Sequence, residues 1–317
     1  MSNTFFAKLG SRIGLRRPSG PCGKVSCRQA FRSNHQTPVY RVSVILLAVF
    51  LAALSGSAKT LSAAETIIYV QVLVDDEEVA NSSVWQQRLQ ERVDAASDII
   101  SQYSSVRFKV RSFGKWHSDN RIRDLNRSLR EFEQEVTPKP GQIAIGFSSQ
   151  YQFKRGLNTL GGTRGPLHSH VLLRESSPKT FEPEKLEALV HELGHFLGAA
   201  HSADPNSAMR PVIGDGKARS ANFKIGFDPI NTKIMRMVSS EVTYFKVRRY
   251  ANLSDRTKER LLVEYERLAK QLPSDPAAKK FIEFIKKSKP PSENSKPPAS
   301  LYFPPQDDPF KLPKKKN

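Results

Sequence analysis

The 317-residue sequence has only two cysteines, Cys22 and Cys27, and both lie ahead of residue 42. No disulfide can form downstream of them, so whatever folds there is held by core packing or by a metal. Met1–Ala64 has no acidic residue at all, against nine Lys/Arg. The other 41 basic residues face all 31 acidic ones, so much of the formal +19 sits in the first fifth of the chain. No zinc-finger, RRM or helix-turn-helix pattern accompanies that charge, so nucleic-acid binding is not expected. The glycine-rich Leu160–Pro166 (LGGTRGP) is followed by no G-K-S/T and is not a phosphate loop; a turn or strand irregularity is expected there. The apolar run Val42–Leu54 falls short of the ~20 residues that span a bilayer comfortably.

What is present is concentrated in Leu189–Pro211, LVHELGHFLGAAHSADPNSAMRP. Residues four apart project from one face of a helix, so His191 and His195 can reach the same ion, with Glu192 beside them. His201 lies too far along a continuing helix to join them. The chain must turn back, and Gly198 makes that turn sterically cheap. Three neutral imidazoles with an open fourth position are the ligand set of a catalytic zinc. Leu186, Leu189, Val190, Leu193, Phe196 and Leu197 give the same helix an apolar stripe.

H-E-x-x-H-x-x-G-x-x-H resembles the metzincin signature of zinc endopeptidases. Met209, eight residues beyond His201 in S-A-M-R-P, resembles the Met-turn at matrixin spacing. The resemblance covers about Glu65–Val242. It implies one catalytic Zn2+ on His191, His195 and His201, Glu192 as general base, Gly198 as the bend and Met209 in the turn beneath the metal. No tyrosine follows Met209 by two residues, which sets the chain apart from the astacin and serralysin branches. The implied fold is α+β and zincin-like: a twisted, mostly parallel sheet with an antiparallel edge strand, a long backing helix, an active-site helix and a C-terminal helix. The implied partner is a protein or peptide substrate cut at internal bonds. A catalytically inactive zinc-binding interaction protein of this fold and a zinc amidase acting on cell-wall peptides are the alternatives.

Periodicity supplies the rest of the domain. Thr66–Val74 and Ser105–Phe113 read as strands around a helix over Val84–Tyr103, capped by Ser82 or Ser83. A second stripe over Asn120–Val136 predicts a helix that matrixins usually lack, and Gln142–Phe147 a central strand. The resemblance implies an edge strand just upstream of the zinc helix that pairs with substrate; His168–Arg174 is the candidate, with His168 and His170 as cleft-rim or hydrogen-bonding residues. Pro211 and Val212 are expected to wall the pocket for the residue after the scissile bond. A structural zinc or calcium ion has no supporting ligand set. Asp204 either holds its loop in a turn or accepts a hydrogen bond from a ligand histidine; the sequence leaves both open. Asp228-Pro229 starts the last helix of the domain, with a buried stripe to Val242, and the helix is expected to be longer than the family's and to continue towards Arg249.

Four segments follow. Residues 1–64 form a basic leader with a signal peptide or signal anchor around residues 42–54, with small residues near Ala58 and Ala64 for cleavage. Residues 65–249 form the catalytic domain and 250–287 a helical extension, Asp255–Gln271 and Pro276–Lys287. Residues 288–317 form a Pro/Lys-rich disordered tail. Secretion, or a periplasmic or envelope location, is expected. Membrane contact is expected only through an uncleaved anchor or the basic tail.

Overall fold

The computed structural model describes residues 65–122, 124–150, 160–175 and 181–288. Both cysteines, the apolar run Val42–Leu54 and the tail beyond Ser288 lie outside the described residues. Among the described residues no helix is long and apolar enough to cross a membrane.

The alternating run near residue 70 forms β1 (Thr66–Asp75), helix α1 covers Ser82–Ser101, and β2 (Val106–Trp116) pairs parallel with β1. The register shifts between Val70 and Gln71, which accommodates one extra residue of β2. Helix α2 (Leu125–Glu135) leads to β3 (Gln142–Ser148), which lies parallel on the other side of β1. Then come β4 (Gly161–Thr163) and β5 (His170–Arg174). The sheet order is β2-β1-β3-β5-β4, with β5 parallel to β3 and β4 antiparallel to β5. Helices α3 (Glu182–Phe196), α4 (Pro229–Tyr244), α5 (Asp255–Gln271) and α6 (Ala277–Lys287) are the remaining α-helices of the described residues, and α4 stops at Tyr244 instead of continuing towards Arg249.

Strand alternation sends side chains to two different cores. Val70, Val72, Ile145, Phe147, Val171 and Leu173 meet Trp85, Leu89 and Val93 of α1 and Leu189, Val190 and Leu193 of α3. Leu73, Ala144 and Leu172 point the other way, onto Leu129 and Phe132 of α2. Helix α2 is therefore a third layer, and its stripe is buried rather than decorative. A separate core joins Ile234 and Val238 of α4 to Leu261, Tyr265 and Leu268 of α5 and Ala278 and Ile285 of α6. The buried Arg92 of α1 reaches Glu175 at 2.6 Å and Glu182 at 2.7 Å, tying the backing helix to the start of α3.

Three further details differ from the sequence reading. The first is the edge strand. His168–Arg174 was expected to meet substrate, but β5 is interior and Gly161–Thr163 is the edge. Two consecutive glycines carry no strand propensity, so tertiary pairing, with Gly162 opposite Leu172, makes this strand. Second, α1 takes Asn81 as its N-cap rather than Ser82 or Ser83, which fall inside the first turn. Third, α2 begins five residues later than its stripe, where the Asp124 carboxylate accepts from the Arg127 amide at 3.0 Å.

Candidate active site

Helix α3 starts with Pro183 in its first turn and with the Glu184 carboxylate accepting the Phe181 amide at 3.0 Å. It delivers His191 and His195 side by side, ring centroids 4.6 Å apart. Each ring is fixed by its Nδ1: that of His191 lies 2.7 Å from the Ala208 carbonyl and that of His195 2.8 Å from the Ala199 carbonyl. A carbonyl only accepts, so both Nδ1 atoms carry the proton and both Nε2 atoms present a lone pair. Those two Nε2 atoms face each other at 3.1 Å. Two lone pairs at that distance repel unless a cation lies between them. Burial, then repulsion from His195, pushes the His191 pKa well below its usual value. Burial, then repulsion from His201, lowers that of His195 to about 4. Both rings are therefore neutral at pH 7, the form that ligates a metal.

The helix ends where its third partner needs it to. Gly198 has φ +89°, and a β-carbon there would meet Val238 at 3.0 Å and the Tyr265 hydroxyl at 3.2 Å. The reversed chain carries His201 back, with ring centroids 5.4 Å from His191 and 5.1 Å from His195. One ligand atom from each of the three histidines lies within 4.8 Å of the others. The donor set, three imidazoles with each Nδ1 hydrogen bonded, fits zinc: imidazole nitrogen binds it at about 2.0–2.1 Å, and outer hydrogen bonds fix the ring.

Glu192 is buried, 5% exposed, and burial alone raises its carboxyl pKa to about 8. A β-carbon on Gly161 would stand 2.8 Å from Glu192 Cγ and 3.0 Å from Oε1, so the edge strand β4 lies directly against this carboxylate. Met209 is fully buried, and a β-carbon on Gly194 would meet its Sδ at 2.7 Å. The second variable residue of H-E-x-x-H therefore has a reason to be glycine: it admits the methionine beneath the histidines.

His168 and His170 are not brought to this cluster. His170 is buried on the α2 face, its Nε2 2.7 Å from the Val136 carbonyl and its ring edge-on to Phe132. His168 sits 3.8 Å from Glu133. Pro211 and Val212 are exposed just beyond Met209, and Val212 is 64% exposed. Asp204 accepts the Asn206 amide at 2.9 Å and so serves its own turn.

Sequence reasoning missed four supporting residues. Asn231 of α4 accepts the Ala200 amide and donates to the Ala200 carbonyl, both at 2.9 Å, clamping the residue before His201. Asp228 caps α4 and also accepts from Asn231 and from Ser207, whose hydroxyl in turn accepts the Met209 amide. Arg210 is buried and makes a two-pronged ion pair with Glu187 on α3, one prong at 3.1 Å, fastening the methionine turn to the helix. Asp275 holds His201, Oδ2 to Nδ1 at 2.7 Å. Only Asp228 had a visible signal, the Asp-Pro pair at a helix start.

With this geometry in place, comparison with known proteins adds a family. Residues 85–232 match the matrixin family model (Peptidase_M10), a stretch that includes all three histidines, Glu192 and Met209. The chain carries a metzincin-type zinc metallopeptidase domain related to the matrixins. A relative of this metzincin domain, human matrilysin, is 36% identical over 100 residues, covering 28% of this chain and 37% of that protein. The chain thus spans little more than a third of that relative's length. Archaemetzincin from Methanopyrus kandleri aligns over 53% of this chain and 93% of its own, at 19% identity and a TM-score of 0.38, too low to bear on the fold.

Proposed function

We propose that the chain is a zinc-dependent metalloendopeptidase that hydrolyses internal bonds of extended protein or peptide substrates. The observation that carries this reading is the convergence of three ring nitrogens beside a buried carboxylate. Zinc held by His191, His195 and His201 would supply a Lewis acid that acidifies water and polarises the scissile carbonyl. Glu192 supplies proton transfer. Its dry setting raises its proton affinity, which suits it to take a proton from water and return it to the leaving amine. The adjacent strand β4 is the edge strand among the described residues, and an extended peptide adds to it as a further strand beside Glu192. Pro211 and Val212 present apolar surface beyond the methionine turn, which favours an apolar side chain after the scissile bond. The ring nitrogens of His170 are occupied within the protein, so it is left out of the cleft.

The run Val42–Leu54 with its basic flank supports export, either with cleavage near Ala58 or Ala64 or with retention as an anchor. Digestion of a random peptide pool tests the activity. The full chain with zinc should yield internal cleavages that a chelator abolishes. Glu192→Ala should lose ~10²–10⁴-fold in rate with zinc retained. A chain that binds zinc but cleaves nothing in the pool would favour the inactive interaction protein. Release of cell-wall peptides alone would favour the amidase.

A further inference from the structure

We propose that the C-terminal helical pair is part of the metal site and that Asp275 is the positioning residue for the third ligand, His201. This rests on the zinc-site reading above. Asp275 lies in the short link between α5 and α6, 74 residues from His201 in sequence and beyond the matrixin-like stretch. Its two oxygens are used separately. Oδ1 accepts the Ala277 amide at 2.8 Å at the start of α6, and Oδ2 meets His201 Nδ1 at 2.7 Å. The contact is mostly shielded, with side chains 23% and 15% exposed. A carboxylate acceptor at Nδ1 puts the proton there and leaves Nε2 bare for a metal.

The same helical pair also holds the bend that delivers His201. The buried Tyr265 hydroxyl of α5 donates to the Gly198 carbonyl at 2.6 Å, and it lies 2.6 Å from the Tyr250 hydroxyl. The three ligands are thus held by three different parts of the chain: His191 by the methionine turn, His195 by the bend, and His201 by the link between α5 and α6. The first two acceptors are main-chain carbonyls that come with the motif. The third is a side chain that must be supplied from elsewhere, and His201 is the ligand outside the rigid helix. Without Asp275, Nδ1 of His201 has no fixed acceptor and its Nε2 is free to take the proton.

The test is zinc affinity of the full chain, measured by competition with a chromophoric chelator, together with the visible spectrum of the Co2+-loaded chain. Asp275→Ser retains an oxygen for the Ala277 amide, so α6 keeps its start, but cannot reach His201 as a carboxylate does. We expect Asp275→Ser to weaken zinc binding ~10–100-fold, with the unfolding temperature of the metal-free chain unchanged. Asp275→Asn should also weaken it, since the two donors are met by separate oxygens and the amide replaces one of them with a donating NH2, and both variants should alter the Co2+ spectrum. Wild-type affinity and an unchanged Co2+ spectrum in both variants would overturn the inference. A wild-type chain that binds no zinc would instead defeat the zinc-site reading.

Discussion

Gly161 and Glu192 are in contact across the candidate cleft: a β-carbon on the glycine would stand 2.8 Å from the glutamate Cγ. The edge of the sheet and the candidate proton carrier therefore share one boundary. In the proposed reading, substrate laid along β4 passes this carboxylate. A double glycine in an apolar region has here a spatial meaning, since any side chain at 161 would occupy the space of Glu192 and Leu173.

Gly161→Ala should accordingly cost stability and catalysis by different amounts. Overpacking of this size costs about 1–3 kcal/mol. The displaced glutamate should lower kcat at least ~10-fold, while zinc content stays at wild-type level. Steady-state kinetics and metal analysis of the purified variant check this. Wild-type kcat would show that Glu192 has room to move aside.

The Arg210–Glu187 pair makes a separate prediction. Both side chains are buried, and Glu187 is fully so. Removing the cation in Arg210→Met strands a charge inside the protein, which costs about 3–5 kcal/mol. The double variant Arg210→Met/Glu187→Gln should recover a substantial part of that loss. Denaturant unfolding of the set decides it, and equal stabilities for the single and double variants would refute the coupling.

Much of the site, but less of its support, was legible in the sequence. His191, Glu192, His195 and Gly198 are readable because helical geometry turns their spacing into direction. The strands around β1 are readable because branched and aromatic residues alternate along them. The strand β4 was not, since its glycines pair only because β5 lies alongside. Arg210, Asn231 and Asp275 were not, since each acts on a residue distant in sequence and carries no local pattern. The role of Asp204 was open between two readings, and the contact it makes is local. Helix α2 was legible as a stripe, but its service as the cover of the second sheet face was not.

Stability should depend on pH through Asp75. This carboxyl is fully buried; Oδ2 accepts the Ser149 amide at 2.7 Å and Oδ1 has no hydrogen-bond partner among the described residues. Burial is the main cause that pushes its pKa from 3.8 up to about 7. A carboxyl with a raised folded pKa holds its proton more tightly in the native state. Its contribution is therefore most favourable below pH 4 and is lost as pH rises from about 4 to 7. Asp75→Asn should gain on the wild type across that interval and hold a higher unfolding temperature at pH 8. A difference between the two proteins that does not change from pH 4 to pH 8 would contradict this.

The most direct test of the whole account is X-ray absorption at the zinc edge of the purified, zinc-loaded chain. The account predicts one zinc per chain with three imidazole nitrogens at about 2.0–2.1 Å and a non-imidazole oxygen completing the shell. His201→Ala should reduce the imidazole count to two. A shell with fewer than three imidazoles in the wild type, or one unaltered by His201→Ala, would contradict it.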